Sequence, residues 1–123
     1  LMIRPDIFLI SLQMEKIYNI TASVDNDAAK RWVEAVRDRY IPAVMRSGHV
    51  ASAELIEVSV PEEIALRDGR TFTLQLRFSG DSELEDFMAG GTECSAEKIL
   101  EEDFSGKYAT FRLRLTSLHK TDK

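Results

Sequence analysis

The stretch KIYNITASVDNDAAKRWVEAV, residues 16–36, changes its hydrophobic period halfway along. In its first nine residues Tyr18, Ile20, Ala22 and Val24 alternate with Asn19, Thr21 and Ser23. A period of two is that of a strand with one face buried. From Ala28 onward Ala29, Trp32, Val36, Tyr40 and Val44 fall three or four apart, the stripe of an amphipathic helix. Between them, Asp25 and Asp27 are candidate N-caps whose acidity suits the positive end of a helix. The chain therefore opens its regular structure as strand, then helix.

The helical stripe runs through a proline, in RDRYIPAVMRSGH, residues 37–49. Pro42 removes an amide hydrogen and crowds the carbonyl of residue 38. Because Val44 resumes the stripe, helix is expected on both sides of Pro42, with a bend or short break between. Tyr40 is expected to pack inward as a core contact. Gly48 suits the helix end.

Three further strands follow from the same reasoning. VASAELIEVSV, residues 50–60, is the second, and PEEIALRDGR reads as a connection with Asp68-Gly69 as its turn. TFTLQLRFS, residues 71–79, alternates Phe72, Leu74, Leu76 and Phe78 against Thr71, Thr73, Gln75 and Arg77. A second helical region, with Asp81 or Ser82 as candidate cap and Leu84, Phe87 and Met88 facing inward, breaks at Gly90-Gly91 and resumes to Gly106, burying Ile99, Leu100 and Phe104. The last strand, YATFRLRLTSL, residues 108–118, alternates Phe111, Leu113 and Leu115 against Thr110, Arg112, Arg114 and Thr116. Strand, helix, strand, strand, helix, strand is the order of a ferredoxin-like α+β fold. Right-handed crossovers put both helices on one side of a four-stranded antiparallel sheet. The first strand then lies between the third and fourth.

The domain so defined spans residues 14–118, followed by a flexible tail at 119–123. The preceding LMIRPDIFLISLQ, residues 1–13, is open to three readings: an extension ahead of Met14, an added strand formed by IFLISL, or a targeting segment.

With the apolar strand faces assigned to the helices, the open sheet face is expected to carry Asn19, Thr21, Thr73, Gln75, Arg77, Arg112, Arg114 and Glu54. Such a polar face has three readings: plain solvation, a wet contact between two copies of the chain, or a site for a small anionic or polar ligand. Asn19, Thr21, Gln75, Arg77, Arg112 and Arg114 are the ligand-binding candidates, since guanidinium groups grip carboxylate and phosphate with two hydrogen bonds. Trp32, Tyr40 and Pro42 are expected to be structural. Tyr18, Trp32 and Tyr40 suit either cavity lining or ordinary packing, and their core-facing positions favour packing.

Conventional chemistry finds little footing. The two histidines, His49 and His119, belong to no ligand-spaced cluster, so no metal is expected, and no motif calls for a cofactor. Cys94 is the sole cysteine; it allows no internal disulfide, suits a reducing, cytoplasmic compartment, and reads as an inert or partly buried thiol. Gly90-Gly91 lacks the lysine and the preceding strand of a phosphate loop. Glu101, Glu102 and Asp103 read as a solvated helix face. The formal charge of −5 disfavours nucleic acid, and no apolar run is long enough to span a membrane.

Four segments, IYNITASVD, the tryptophan of the first helix, YIPAVMRSG and FSGKYATFRLRL, occur in an order that resembles the Bacteroidetes-associated domain-of-unknown-function family 4286 across most of residues 15–118. That family often has histidine before the Ile-Pro pair, where this chain has Tyr40, so no histidine role carries over. The resemblance implies a small dimeric α/β-barrel protein and no established activity. The leading functional reading is a non-catalytic homodimer. A binder of a small anionic or polar ligand is the alternative, and a dimeric-barrel enzyme such as a monooxygenase is a third class resting on fold analogy alone.

Overall fold

A computed structural model describes residues 14–123, so the readings of residues 1–13 lie outside it. Strand β1 spans Lys16–Val24, β2 Ser52–Val58, β3 Arg70–Phe78 and β4 Tyr108–Thr116. They form one sheet in the order β2-β3-β1-β4, with every neighbouring pair antiparallel. This is the ferredoxin-like arrangement, with β1 between β3 and β4 as its strand order requires.

The first crossover is α1, Ala29–Ala35, then a π-helical turn, Val36–Tyr40, then α2, Ile41–Met45. The turn is the expected break before Pro42. Widening the helix to an i→i+5 pattern makes room for the proline ring, and the Ile41 amide donates to the Val36 carbonyl. Ala29, Trp32, Val36, Tyr40 and Val44 stay on one buried stripe through all three pieces. The second crossover is α4, Asp81–Ala89, and α5, Thr92–Phe104, separated at Gly91, whose φ of +74° turns the chain between them.

The connection between β2 and β3 contains a helix not anticipated from the sequence, α3, Glu62–Asp68. Only Ala65 of this segment is buried, so it carries no apolar stripe long enough to announce a helix. Gly69 ends it at φ +91°, where a Cβ would come 2.5 Å from the Val24 carbonyl oxygen. The expected caps are also corrected. Ala28 precedes α1 and Gly80 precedes α4, neither helix has a side-chain cap, and the Asp25 carbonyl accepts from the Ala28 amide instead.

The core lies between the helices and one sheet face. Phe72 stacks on Trp32 at 5.4 Å between ring centroids, and Phe78 meets Phe87 at 5.3 Å. Tyr18, Ile20, Ala22 and Val24 of β1 and Phe72, Leu74, Leu76 and Phe78 of β3 supply the floor, as their alternation indicates.

The fourth strand reverses the expectation. Ile20 pairs with Arg112 and Tyr18 with Arg114, while Asn19 pairs with Leu113 and Thr21 with Phe111. Paired residues share a face. Arg112 and Arg114 therefore lie on the helix side, and Phe111, Leu113 and Leu115 lie on the open side. The physical reason is charge. Glu85, Glu93 and Glu97 project from α4 and α5 and receive the guanidinium groups, so the arginines sit on the helix side of the sheet edge.

Two substitutions test this architecture by chemical denaturation. Tyr40 is 1% exposed, and Tyr40→Ala is expected to cost about 3 kcal/mol of unfolding free energy; a loss below 1 kcal/mol would contradict its core role. Gly69→Ala is expected to cost about 2 kcal/mol, because it combines a backbone angle foreign to alanine with the clash at Val24.

Candidate functional site

Two surfaces concentrate the unusual residues. The first is the open sheet face. From β1 and β3 it receives Asn19, Thr21, Thr73, Gln75 and Arg77, as their alternation indicates. These side chains satisfy one another. The Thr73 hydroxyl donates to Asn19 Oδ1 at 2.8 Å, Gln75 Nε2 donates to the same oxygen at 3.2 Å, and Asn19 Nδ2 donates to Thr21 at 3.2 Å. Arg77 donates to Gln75 Oε1 at 2.7 Å and lies near the carboxylates of Glu54, 3.7 Å, and Glu15, 3.9 Å. Of the six ligand-binding candidates, four share this face; Arg112 and Arg114 are absent from it.

What replaces them is apolar. Phe111 is 58% exposed, Leu113 45%, Leu115 39% and Val58 38%. Ile17 and Ile56 are half-buried beside them. Phe111 stands as the one aromatic of the described open face, so no pair of stacking platforms for bases is present.

The second surface is the cleft between α5 and the edge strand β4. Glu93, Glu97 and Glu101 recur every four residues and so line one side of α5. Arg112 Nε donates to Glu93 at 2.6 Å, its Nη2 donates to Glu97 at 3.2 Å, and its Nη1 donates to Thr110 at 2.7 Å. The Tyr18 hydroxyl donates to Glu93 at 2.9 Å. The Tyr108 hydroxyl lies 2.6 Å from Glu97 and 3.0 Å from Glu101, and with one proton it donates to one of them at a time. Arg114 meets Glu85 at 3.0 Å in a more exposed pair. Burial, reinforced by the adjacent Glu93, pushes the Tyr18 hydroxyl up to about 12. Burial and then Glu97 raise Tyr108 as well. Burial pulls on the charge of Arg112, yet Glu93 and Glu97 overcome it and hold the guanidinium above its ordinary value.

Behind Glu97 is a small internal cavity of about 10 Å3, bordered by Ile20, Trp32, Val36, Tyr40, Leu74, Leu100 and Thr110. Trp32 Nε1 and the Tyr40 hydroxyl are both buried and find no hydrogen-bond partner among the described residues. Burial is the main reason the Tyr40 hydroxyl is held far above its usual range. In front of Glu97 an open groove of about 470 Å3 runs past Met88, Gly91, Glu93, Cys94, Lys98, Glu101 and Arg112. Cys94 is exposed in this groove, so the partial burial expected of it is corrected. The i, i+4, i+8 spacing of Glu93, Glu97 and Glu101 is the sequence signal that would have pointed here.

A third feature, a groove of about 560 Å3 between α1 and β2, holds Lys30, Arg37 and Arg70 against Glu34 and Glu57. Among the described residues, no group of three His, Cys, Asp or Glu side chains converges as a metal site, and no helix is long and apolar enough to cross a membrane.

Comparison with solved structures returns the same fold at low identity. A dimeric ferredoxin-like protein from an uncultured marine organism is 10% identical with a TM-score of 0.66, over 88% of this chain and 99% of that one. SnoaB, a cofactor-independent oxygenase from Streptomyces nogalater, is 10% identical with a TM-score of 0.63, over 89% and 98%. A conserved protein of unknown function from Bacteroides thetaiotaomicron, described as a possible oxidoreductase, is 11% identical with a TM-score of 0.61, over 85% and 99%. No curated protein matches the chain. Residues 15–118 match a family model, and the chain belongs to that family, the domain of unknown function DUF4286.

Proposed function

We propose that the chain is a homodimerising domain in which two copies stack their open sheet faces. The observation that carries this reading is the row Phe111, Leu113 and Leu115 standing exposed on the face opposite the helices. Large apolar side chains side by side on a sheet face favour a partner, since each buried Leu or Phe contributes about 2 kcal/mol. Two-fold stacking lays the apolar row and the Asn19 network of each copy against the other, giving an apolar contact with a polar margin. A fold neighbour described as dimeric supports the same reading. A reducing, cytoplasmic location suits a chain with a single, exposed cysteine.

The anion-binding alternative draws less support than the arginine content suggested. Arg112 and Arg114 are engaged by glutamates on the far side of the sheet, and Arg77 faces Glu54 and Glu15. The enzyme alternative draws its support from fold neighbours described as oxygenases.

Light scattering coupled to gel filtration tests the dimer. The wild type is expected to elute as a dimer at micromolar concentration. Leu113→Asp is expected to weaken association at least about tenfold, and Lys30→Glu on the outer helix to leave it unchanged. A wild type that stays monomeric at about 100 μM would overturn the assembly. Arg112 provides a contrasting prediction. Arg112→Met is expected to leave the dimer intact and cost roughly 2 kcal/mol of stability, because Glu93 and Glu97 lose their charged donor. Arg112→Glu is expected to cost more.

A further inference from the structure

We propose that the cavity behind Glu97 and the groove in front of it form one binding site for a neutral, hydroxyl-bearing small molecule, an alcohol or a phenol. Trp32 is 3% exposed and Tyr40 1%, both residues border the cavity, and their polar atoms lack partners among the described residues. Leaving such groups unpaired is costly, so the cavity selects an occupant that hydrogen-bonds to them. The indole N–H only donates, so the occupant accepts. The Glu97 carboxylate, which also borders the cavity, only accepts, so the occupant donates as well. A single oxygen carrying one hydrogen meets both requirements.

Charge selects the neutral form. In the groove, Glu93, Glu97 and Glu101 outnumber Arg112 and Lys98, which disfavours a carboxylate or phosphate. A cation would meet Glu97 at the inner end, but Trp32 offers only a donor and Ile20, Leu74 and Leu100 only hydrocarbon, so the rest of its shell is left unsolvated. Size sets the division of labour. The cavity admits one water-sized group, whereas the groove of about 470 Å3 has room for the hydrocarbon body of a small ligand. Glu97 lines both spaces, so a hydroxyl bonded to Glu97 reaches the cavity while the hydrocarbon body stays in the groove. The inference does not require a second copy, since one chain supplies every residue of the cavity and the groove.

Trp32 is the sole tryptophan, so its indole N–H gives a single cross-peak in a proton–nitrogen correlation spectrum of labelled protein. Titration with phenol and with cyclohexanol is expected to move that peak saturably, and benzene and benzoate are expected to leave it in place. Glu97→Gln and, separately, Tyr40→Phe are expected to weaken the hydroxyl probes about tenfold each, with the remaining cross-peaks showing that each variant is folded. A peak that does not move with either hydroxyl probe, while magnetisation transfer from water to the indole persists, identifies a fixed internal water and overturns the proposal. An equal response to benzene overturns it too, since it reports a hydrophobic hole with no use for the hydroxyl.

Discussion

Arg112 lies opposite Ile20 on the helix-covered side of the sheet, and its bonds to Glu93 and Glu97 tie the edge strand β4 to α5. Much of the molecule depends on that contact. Side chains alternate along a strand, so fixing Arg112 inward fixes Phe111 and Leu113 outward. One charged interaction thus sets the chemistry of two faces: a polar, acid-lined cleft beneath the helices and an apolar row on the surface opposite. A one-residue slip would bury Phe111 and Leu113 under α5, but it would take Tyr108, Arg112 and Arg114 away from Glu85, Glu93, Glu97 and Glu101.

The first crossover follows a different constraint. Trp32, Val36, Tyr40 and Val44 must all reach the core, yet Pro42 cannot complete the α-helical ladder. The π-helical turn over Val36–Tyr40 reconciles the two demands by adding a residue to the turn just before the proline. It also directs Tyr40 into the interior, where the residue borders the cavity. The YIP segment is therefore a bend whose consequence is the position of one buried tyrosine.

How much was legible in the sequence varies by element and for physical reasons. Tyr18 to Val24 and Phe72 to Phe78 alternate apolar with polar, and in central strands the apolar set faces the core, so β1, β3 and the strand order were readable. Alternation along β4 was equally clear, but it sorts residues into two sets without saying which set faces the helices. Hydrophobicity points the wrong way there because the covering helices carry glutamates, and arginine stems lie along a sheet as hydrocarbon while their heads reach a carboxylate. The answer was present only jointly, in Arg112 and Arg114 taken with the four-residue spacing of Glu93, Glu97 and Glu101. Of the six ligand-binding candidates, Asn19, Thr21, Gln75 and Arg77 were gathered on the face expected for them, since they belong to central strands. The helix over Glu62–Asp68 was not readable, because a short exposed helix buries a single alanine and leaves no period to detect.

Among the described residues β4 is an edge strand with a hydrogen-bonded neighbour on one side, so what restrains it there is its ladder to β1 and its side chains. On the inner side Thr110, Arg112 and Arg114 engage one another and the glutamates of α4 and α5. On the outer side Phe111, Leu113 and Leu115 engage nothing of comparable strength among the described residues. A second copy seated on the open face would supply the missing restraint on the strand that carries Thr110 and Arg112 into the cleft. Successive residues of β4 thus divide between the two surfaces, and order imposed at the outer face is inherited by the polar groups on the inner one. A second copy on the open face and the cleft beneath the helices would for that reason meet in the backbone of a single strand.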